Sequence, residues 1–253
     1  MKKIILGSLL MLFTGNLIFA QGEAFDVQMK VYKAAMKNYD FQTAISAIYG
    51  MEAIKPERTD LNDSLAIIYF EDEKYAQAMI VSQGILAADP KRNDMLEMQA
   101  ISKQKLGMVK ESLADYEKLY GVDKQVYFLY QMATLQFQLE RFGECLASID
   151  QIIASPDADK QKVNIPVQNR TQTVPMKAAA YNIKGICAAQ LNQPDAAKDN
   201  LKKAIELFPD FVLAKANLEA IDKKGTDNKG AAKPAGTTTP KPAAPKTTTT
   251  GSK

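Results

Sequence analysis

The sequence predicts an all-α solenoid: antiparallel helix pairs stacked into a right-handed superhelix, interrupted once by a short inserted hairpin or loop. Three observations predict it. Equivalent residues recur 34 positions apart, as in Phe41 and Tyr75, Ala44 and Ala78, and Pro56 and Pro90. Between these markers, apolar residues fall at i, i+3, i+4 and i+7, the spacing of amphipathic helices. The one stretch that alternates apolar with polar residues lies between two periods rather than inside one. Thirty-four residues make two helices and their turns. A pair that small cannot bury its own apolar face, so neighbouring pairs must stack.

The chain opens with Met1, Lys2 and Lys3, then runs apolar from Ile4 to Ala20. A basic n-region before an apolar core is the layout of a secretory signal peptide, here with cleavage expected after Ala20. An uncleaved anchor is the rival reading. The run contains Thr14, Gly15 and Asn16 and is short against the roughly 20 apolar residues of a span. The protein is therefore expected to be exported and periplasmic or envelope-associated, with no membrane span after signal cleavage. At the other end, 225–253 is almost wholly Thr, Pro, Ala, Gly and Lys. Without large apolar residues it cannot offset its ordering entropy, and a disordered tail is expected.

Charge and composition exclude several functions. Lys and Arg number 32 against 29 Asp and Glu, a net charge of +3. Lys2 and Lys3 hold +2 of this and the tail holds +4, leaving −3 on 21–224. A mildly acidic body argues against a nucleic-acid surface. The chain has no His, which removes the commonest general base and zinc ligand. It has no glycine-rich phosphate loop, and carboxylate pairs such as Asp60 with Asp63 and Glu71 with Glu73 read as solvated helix faces or turns. No catalytic residue, cofactor or metal is expected. Cys145 and Cys187 read as small buried residues of two different helices, although export would permit a disulfide.

Five units follow in order: Phe25–Arg58, Thr59–Arg92, Asn93–Gln125, Val126 to about Asp159, and Ala178–Phe211. The last contains Tyr181, Gly185, Ala197, Ala204 and Pro209. These resemble the aromatic, small, alanine, alanine and proline positions of the tetratricopeptide repeat. Its departures are Ala188 in place of an aromatic, Lys184 in place of leucine, and Pro194 in the turn. The second unit matches through Leu65, Ala66, Tyr69, Tyr75, Ala78, Ile85 and Pro90. The first puts Tyr32 at the small site, the third puts Ser112 at the alanine site and lacks the proline, and the fourth puts Cys145 at the alanine site. Val212–Lys224 carries Leu213, Leu218 and Ile221 on one face and polar residues on the other, as a capping helix should. The repeat domain is thus expected over 25–224.

Between the fourth and fifth units lie about 18 extra residues, the insertion at 160–177. Lys162–Val167 and Thr171–Met176 alternate apolar and polar residues around Gln168, Asn169 and Arg170, which predicts a short β-hairpin or extended lid.

The resemblance implies a non-catalytic scaffold whose first helices line a groove for a protein or peptide partner. Projected onto this chain, the groove takes Met29, Lys33 and Met36 from the first unit, Asp60, Asp63, Ile67 and Phe70 from the second, and Asp94, Glu97 and Ile101 from the third. It takes Tyr127, Tyr130 and Phe137 from the fourth, with Thr134 between them, and Asn182 and Ile186 from the fifth. The carboxylates suggest a ligand with basic residues. The three aromatics, expected to be exposed, suggest an apolar anchor point, and the insertion follows them closely enough to close over them. The alternative is a structural subunit of an envelope or secretion assembly, making contacts through its convex face and the insertion.

Overall fold

Each period of the sequence folds as two helices joined by a tight turn. The computed structural model describes residues 21–168 and 170–227. The expected signal peptide and all but the start of the expected tail lie outside the described residues. Helix α1 (21–37) pairs with α2 (Phe41–Ile54), α3 (Leu61–Glu71) with α4 (Tyr75–Ala88), and α5 (Asn93–Lys105) with α6 (Val109–Val122). Next, α7 (Val126–Gln138) pairs with α8 (Phe142–Ala154) and α9 (Met176–Gln190) with α10 (Pro194–Leu207), before α11 (Val212–Asp227) covers the end. Helix α11 runs three residues past the expected limit at Lys224.

The turn inside each pair has one recurring device. Tyr39, Glu73, Gly107, Glu140 and Asn192 all have φ between 55 and 75°, in the left-handed region. The next residue's N–H then reaches back five residues: Asp40 to the Ala35 carbonyl, Lys74 to Tyr69, Met108 to Lys103, Arg141 to Gln136 and Gln193 to Ala188. This is the Schellman closure, which satisfies carbonyls that a helix end leaves unpaired. Glycine fills the left-handed position once in five, so the sequence alone does not mark it.

Helices α2, α4 and α10 end differently. Lys55, Asp89 and Phe208 are the residues after their last turns, with φ between −134 and −146°. Each precedes a proline, whose ring disfavours helical backbone in the residue before it. Pro194, the apparent misfit of the fifth unit, sits in the first turn of α10, where its missing N–H costs nothing.

Within a pair, the helices touch through their small residues. Ala66, Ala100 and Ala133 on first helices, and Ala44, Ala78, Ser112, Cys145 and Ala197 on second helices, have no exposure. Where the second residue is polar, it bonds the first one's carbonyl: Ser112 Oγ donates to Ala100 at 2.8 Å and Cys145 Sγ to Ala133 at 3.2 Å. At Gly185 a Cβ would lie 2.7 Å from Leu201 Cγ, so only glycine allows α9 and α10 to approach this closely. Lys184, in place of leucine, leaves the core and pairs with Asp150 at 2.5 Å.

The insertion forms a 3-10 turn, Pro156–Asp159, and a two-stranded antiparallel hairpin, β1 (Lys162–Val167) with β2 (Arg170–Pro175). Arg170 is the first residue of β2 rather than part of the turn, and helix α9 begins directly at Met176. Val163 and Val174 face each other across the strands and join the core formed by α7 to α11.

Candidate protein-binding site

The hairpin, α7 and α9 enclose a cavity of about 610 Å³. Helix α7 supplies a stripe at helical spacing, with Tyr127, Tyr130, Gln131, Thr134 and Gln138 all lining the space. Helix α9 contributes Ala179, Asn182, Ile183 and Ile186, and α11 contributes Leu213. The first helices can share one space because α7 touches α9 and α9 touches α11 across the intervening second helices.

The remaining wall is β1. Lys162, Val163, Asn164, Ile165 and Pro166 all line the cavity, and no described residue of β2 does. A sheet face would present alternate residues of both strands. Five consecutive residues from one strand mean that the cavity runs along the free edge of β1. Two residues separate the facing pair Val167 and Arg170, and Gln168 has φ 53°, as two-residue hairpin turns require. Such a turn closes on a hydrogen-bonded pair, and alternation then turns the backbone groups of Lys162, Asn164 and Pro166 outward. Pro166 and Pro175 therefore sit where an N–H would not serve the ladder, so neither breaks the hairpin.

Several contacts fix the hairpin in place. Thr173 Oγ1 donates to Asn164 Oδ1 across the strands at 2.9 Å. Gln172 Nε2 donates to the Asp210 carbonyl at 2.6 Å, and its Oε1 accepts from the Val212 N–H at 3.2 Å. Lys177 pairs with Asp159 at 2.8 Å. Inside the cavity wall, Asn182 Oδ1 accepts from Asn217 Nδ2 at 2.9 Å. Lys162 is the one charged residue among those lining the space. Burial pushes the Tyr130 hydroxyl up to about 12, so it stays a neutral donor and acceptor.

No protein-family model and no curated protein sequence matches the chain. Solved structures do. YrrB, described as a TPR protein with an unusual peptide-binding site, superposes at TM-score 0.58 with 16% identity, over 73% of this chain and 87% of its own. A tetratricopeptide repeat protein from Parabacteroides merdae ATCC 43184 gives 0.63 and 17%, over 82% and 77%. MamA gives 0.57 and 13%, over 84% and 100%. The fold is that of a tetratricopeptide-repeat solenoid.

On that tetratricopeptide scaffold the expected groove residues divide. Tyr127, Tyr130 and Asn182 meet at the cavity, with Thr134 and Ile186. Tyr130 is not an exposed aromatic: it is 8% exposed and belongs to the core with Val126, Leu129 and Ala133. Tyr127 is half-buried, its ring 5.8 Å from that of Phe128. Phe137 misses the cavity and packs on Phe142 at 5.7 Å. The cause is that α7 is covered on several sides, with Phe128, Leu135 and Gln136 buried as well as Leu129 and Ala133.

The second and third repeats do not join this cavity at the expected positions. Ile67 is exposed, and Phe70 packs against Tyr75 at 5.7 Å. Three of the four carboxylates expected to select a basic ligand, Asp60, Asp63 and Asp94, are paired with arginines of the same chain. Arg58 grips Asp60 at 2.7 Å, and Arg92 grips Asp94 at 2.7 Å and Asp63 at 2.9 Å. These guanidinium contacts hold the Asp60 and Asp94 carboxyls below their usual range. Glu97 is half-buried, and desolvation raises its carboxyl. Gln104, Gln131, Gln138, Asn164 and Leu213 were not expected at the site. Positions 131 and 138 continue the helical stripe that already contains 127 and 134, a signal present in the sequence.

Proposed function

We propose that this protein is a non-catalytic interaction scaffold that holds an extended, mostly uncharged segment of a partner protein in the cavity between α7, α9 and β1. The observation that carries this reading is the alignment of the cavity with the unpaired edge of β1. Outward N–H and C=O groups of Lys162 and Asn164 match the backbone of an added strand, as in β-augmentation. Ile165, Ile183, Ile186 and Leu213 offer apolar contact, while the amides of Gln104, Gln131 and Gln138 can meet further backbone groups. The peptide-binding site described for YrrB supports the use of this fold for such capture. The pairing of Asp60, Asp63 and Asp94 with arginines favours an uncharged ligand over a basic one.

The scaffold is further proposed to work outside the cytoplasm, as an exported protein of the periplasm or cell envelope, on the strength of residues 1–20. Fractionation of cells expressing the full chain, with N-terminal sequencing, tests this; a mature protein beginning at Gln21 in the envelope or periplasmic fraction is the expected result. A second reading, a structural subunit of an envelope assembly, draws on Tyr49, Ile80, Val122 and Leu207. These apolar residues on second helices are all more than 45% exposed.

The test is a screen of the folded protein against a library of extended peptides, with Thr134→Arg and Ile186→Arg as blocked variants. Both residues are partly exposed in the cavity wall, so each arginine fills the space from a tolerant position. Binding weakened at least about tenfold, a loss of about 1.4 kcal/mol, is expected in variants with native circular dichroism, because each arginine occupies space the ligand needs. Unchanged affinity in both would move recognition to another surface and favour the structural subunit.

A further inference from the structure

Cys145 lies in the first turn of α8 and Cys187 in the last turn of α9, on the two helices that flank the insertion. Both have no exposure and both thiols are free. Their sulfurs are 3.5 Å apart: the Cys187 S–H donates to Cys145 Sγ, and the Cys145 S–H donates to the Ala133 carbonyl at 3.2 Å. We propose that these cysteines form an intramolecular disulfide that ties the fourth repeat to the fifth. A disulfide needs its sulfurs at about 2.05 Å, so they must close by roughly 1.5 Å, a small fraction of the ~8–10 Å between packed helix axes.

The reaction balances with a small-molecule disulfide as oxidant. The thiolate of one cysteine attacks it and expels one thiolate, leaving a mixed disulfide. The thiolate of the second cysteine then displaces the remaining one. Two cysteine thiols lose two protons and two electrons, and the oxidant leaves as two thiols. Neither sulfur is reachable from solvent, since both residues have no exposure. A thiol so placed reacts slowly in the native core. The bond therefore closes as the chain folds, or when the interface between α8 and α9 opens.

The link would span 42 positions and enclose the whole hairpin. It joins α8, the partner of the cavity helix α7, directly to the cavity helix α9. The pair thus stands apart from the ligand proposed for the cavity, while fixing the two repeats that shape it.

The test starts from the full chain, reduced and unfolded, and refolds it in oxidised and reduced glutathione or in excess dithiol. A parallel sample of native reduced protein is oxidised in sub-denaturing urea. Expected is a glutathione product lighter by two hydrogens, with no thiol alkylated after denaturation. Its Tm should exceed that of the dithiol sample by roughly 5–15 °C. In Cys145→Ala, which places the repeat's commonest residue at that site, the Tm should not respond to redox conditions. Native circular dichroism with both thiols still alkylated in both samples overturns the proposal, as does a stable glutathione adduct on either cysteine or a disulfide-linked dimer.

Discussion

The side-chain oxygen of Gln172, on β2, accepts the backbone N–H of Val212 at the start of α11. Its amide nitrogen meanwhile donates to the Asp210 carbonyl, so one side chain joins the inserted hairpin to the capping helix across 40 positions of sequence. Gln172→Ala removes both bonds at a partly exposed site and should cost about 0.5–1.5 kcal/mol. The Val212 amide should then exchange with solvent faster than in the parent. Unchanged exchange there would show that Gln172 does not hold the start of α11.

Gly185 marks the tightest approach between two helices of one repeat. Gly185→Ala places a Cβ 2.7 Å from Leu201 Cγ and 3.1 Å from the Ala197 carbonyl. The backbone oxygen cannot yield as a flexible side chain would. Overpacking of roughly 1–3 kcal/mol is expected, which outweighs the helix-propensity gain of about 1 kcal/mol. A denaturant midpoint at or above the parent's would show that α9 and α10 have room to separate.

Asp115 is buried between two lysines, with Lys103 Nζ at 2.5 Å and Lys118 Nζ at 3.1 Å. Its side chain is 3% exposed and that of Lys103 is 16% exposed, whereas Lys118 is at the surface. Asp115→Ala strands the Lys103 cation with only Gln99 Oε1, at 3.0 Å, and should cost about 2–4 kcal/mol. Lys118→Ala should cost under about 1 kcal/mol, as exposed partners do. Urea titration of both variants checks the contrast.

Glu140 has φ 57° in the turn between α7 and α8, a conformation costing a residue with a side chain about 1 kcal/mol. Gly107 holds the same position in the preceding repeat. Glu140→Gly should therefore stabilise the protein by about 0.5–1 kcal/mol, because relief of strain exceeds the added freedom of the unfolded chain. A lower thermal midpoint would contradict this.

Tyr130 gives a pH signature. Its folded value near 12 lies above the ordinary value of about 10. Between those values the unfolded chain releases the proton while the folded chain retains it, so stability falls as pH rises. Below about 10 both states are protonated and the effect vanishes. In Tyr130→Phe the decline of the urea midpoint from pH 10 upward should be shallower than in the parent.

These residues also show which parts of the molecule could be read in advance. The repeat was legible because small residues at Ala66, Ala78 and Ala197, and prolines at 56, 90 and 209, answer to backbone constraints that recur at fixed offsets in several of the pairs. The hairpin was legible because Val163 and Val174 alternate with polar neighbours. The exposure of Tyr130 and Phe137 was misjudged for one physical reason. An interior solenoid helix packs against its own partner and against the repeats on both sides, so a single apolar stripe does not describe it. The ion pairs of Arg58 and Arg92 escaped because they depend on where inter-repeat turns deliver the guanidinium groups, and charge counting carries no such geometry. The free edge of β1 escaped because strand order and edge exposure follow from docking of the hairpin, not from its alternation.

The ends of the inserted hairpin face each other, with Lys162 opposite Pro175, and this has a consequence for variation. The gap that the chain must bridge between the fourth and fifth repeats is fixed by the spacing of two paired strands, roughly 5 Å. The number of residues beyond that gap does not enter it. Adding or removing two residues on each strand, which keeps the turn on a hydrogen-bonded pair, would alter the length of edge offered to a ligand while leaving α9 seated where it is. The helices of the stack have no such latitude, since a residue lost from any of them rotates every contact beyond it. One scaffold could thus be refitted to partners of different length by editing a single loop, and grafted hairpins are the natural starting point for redesigning what it holds.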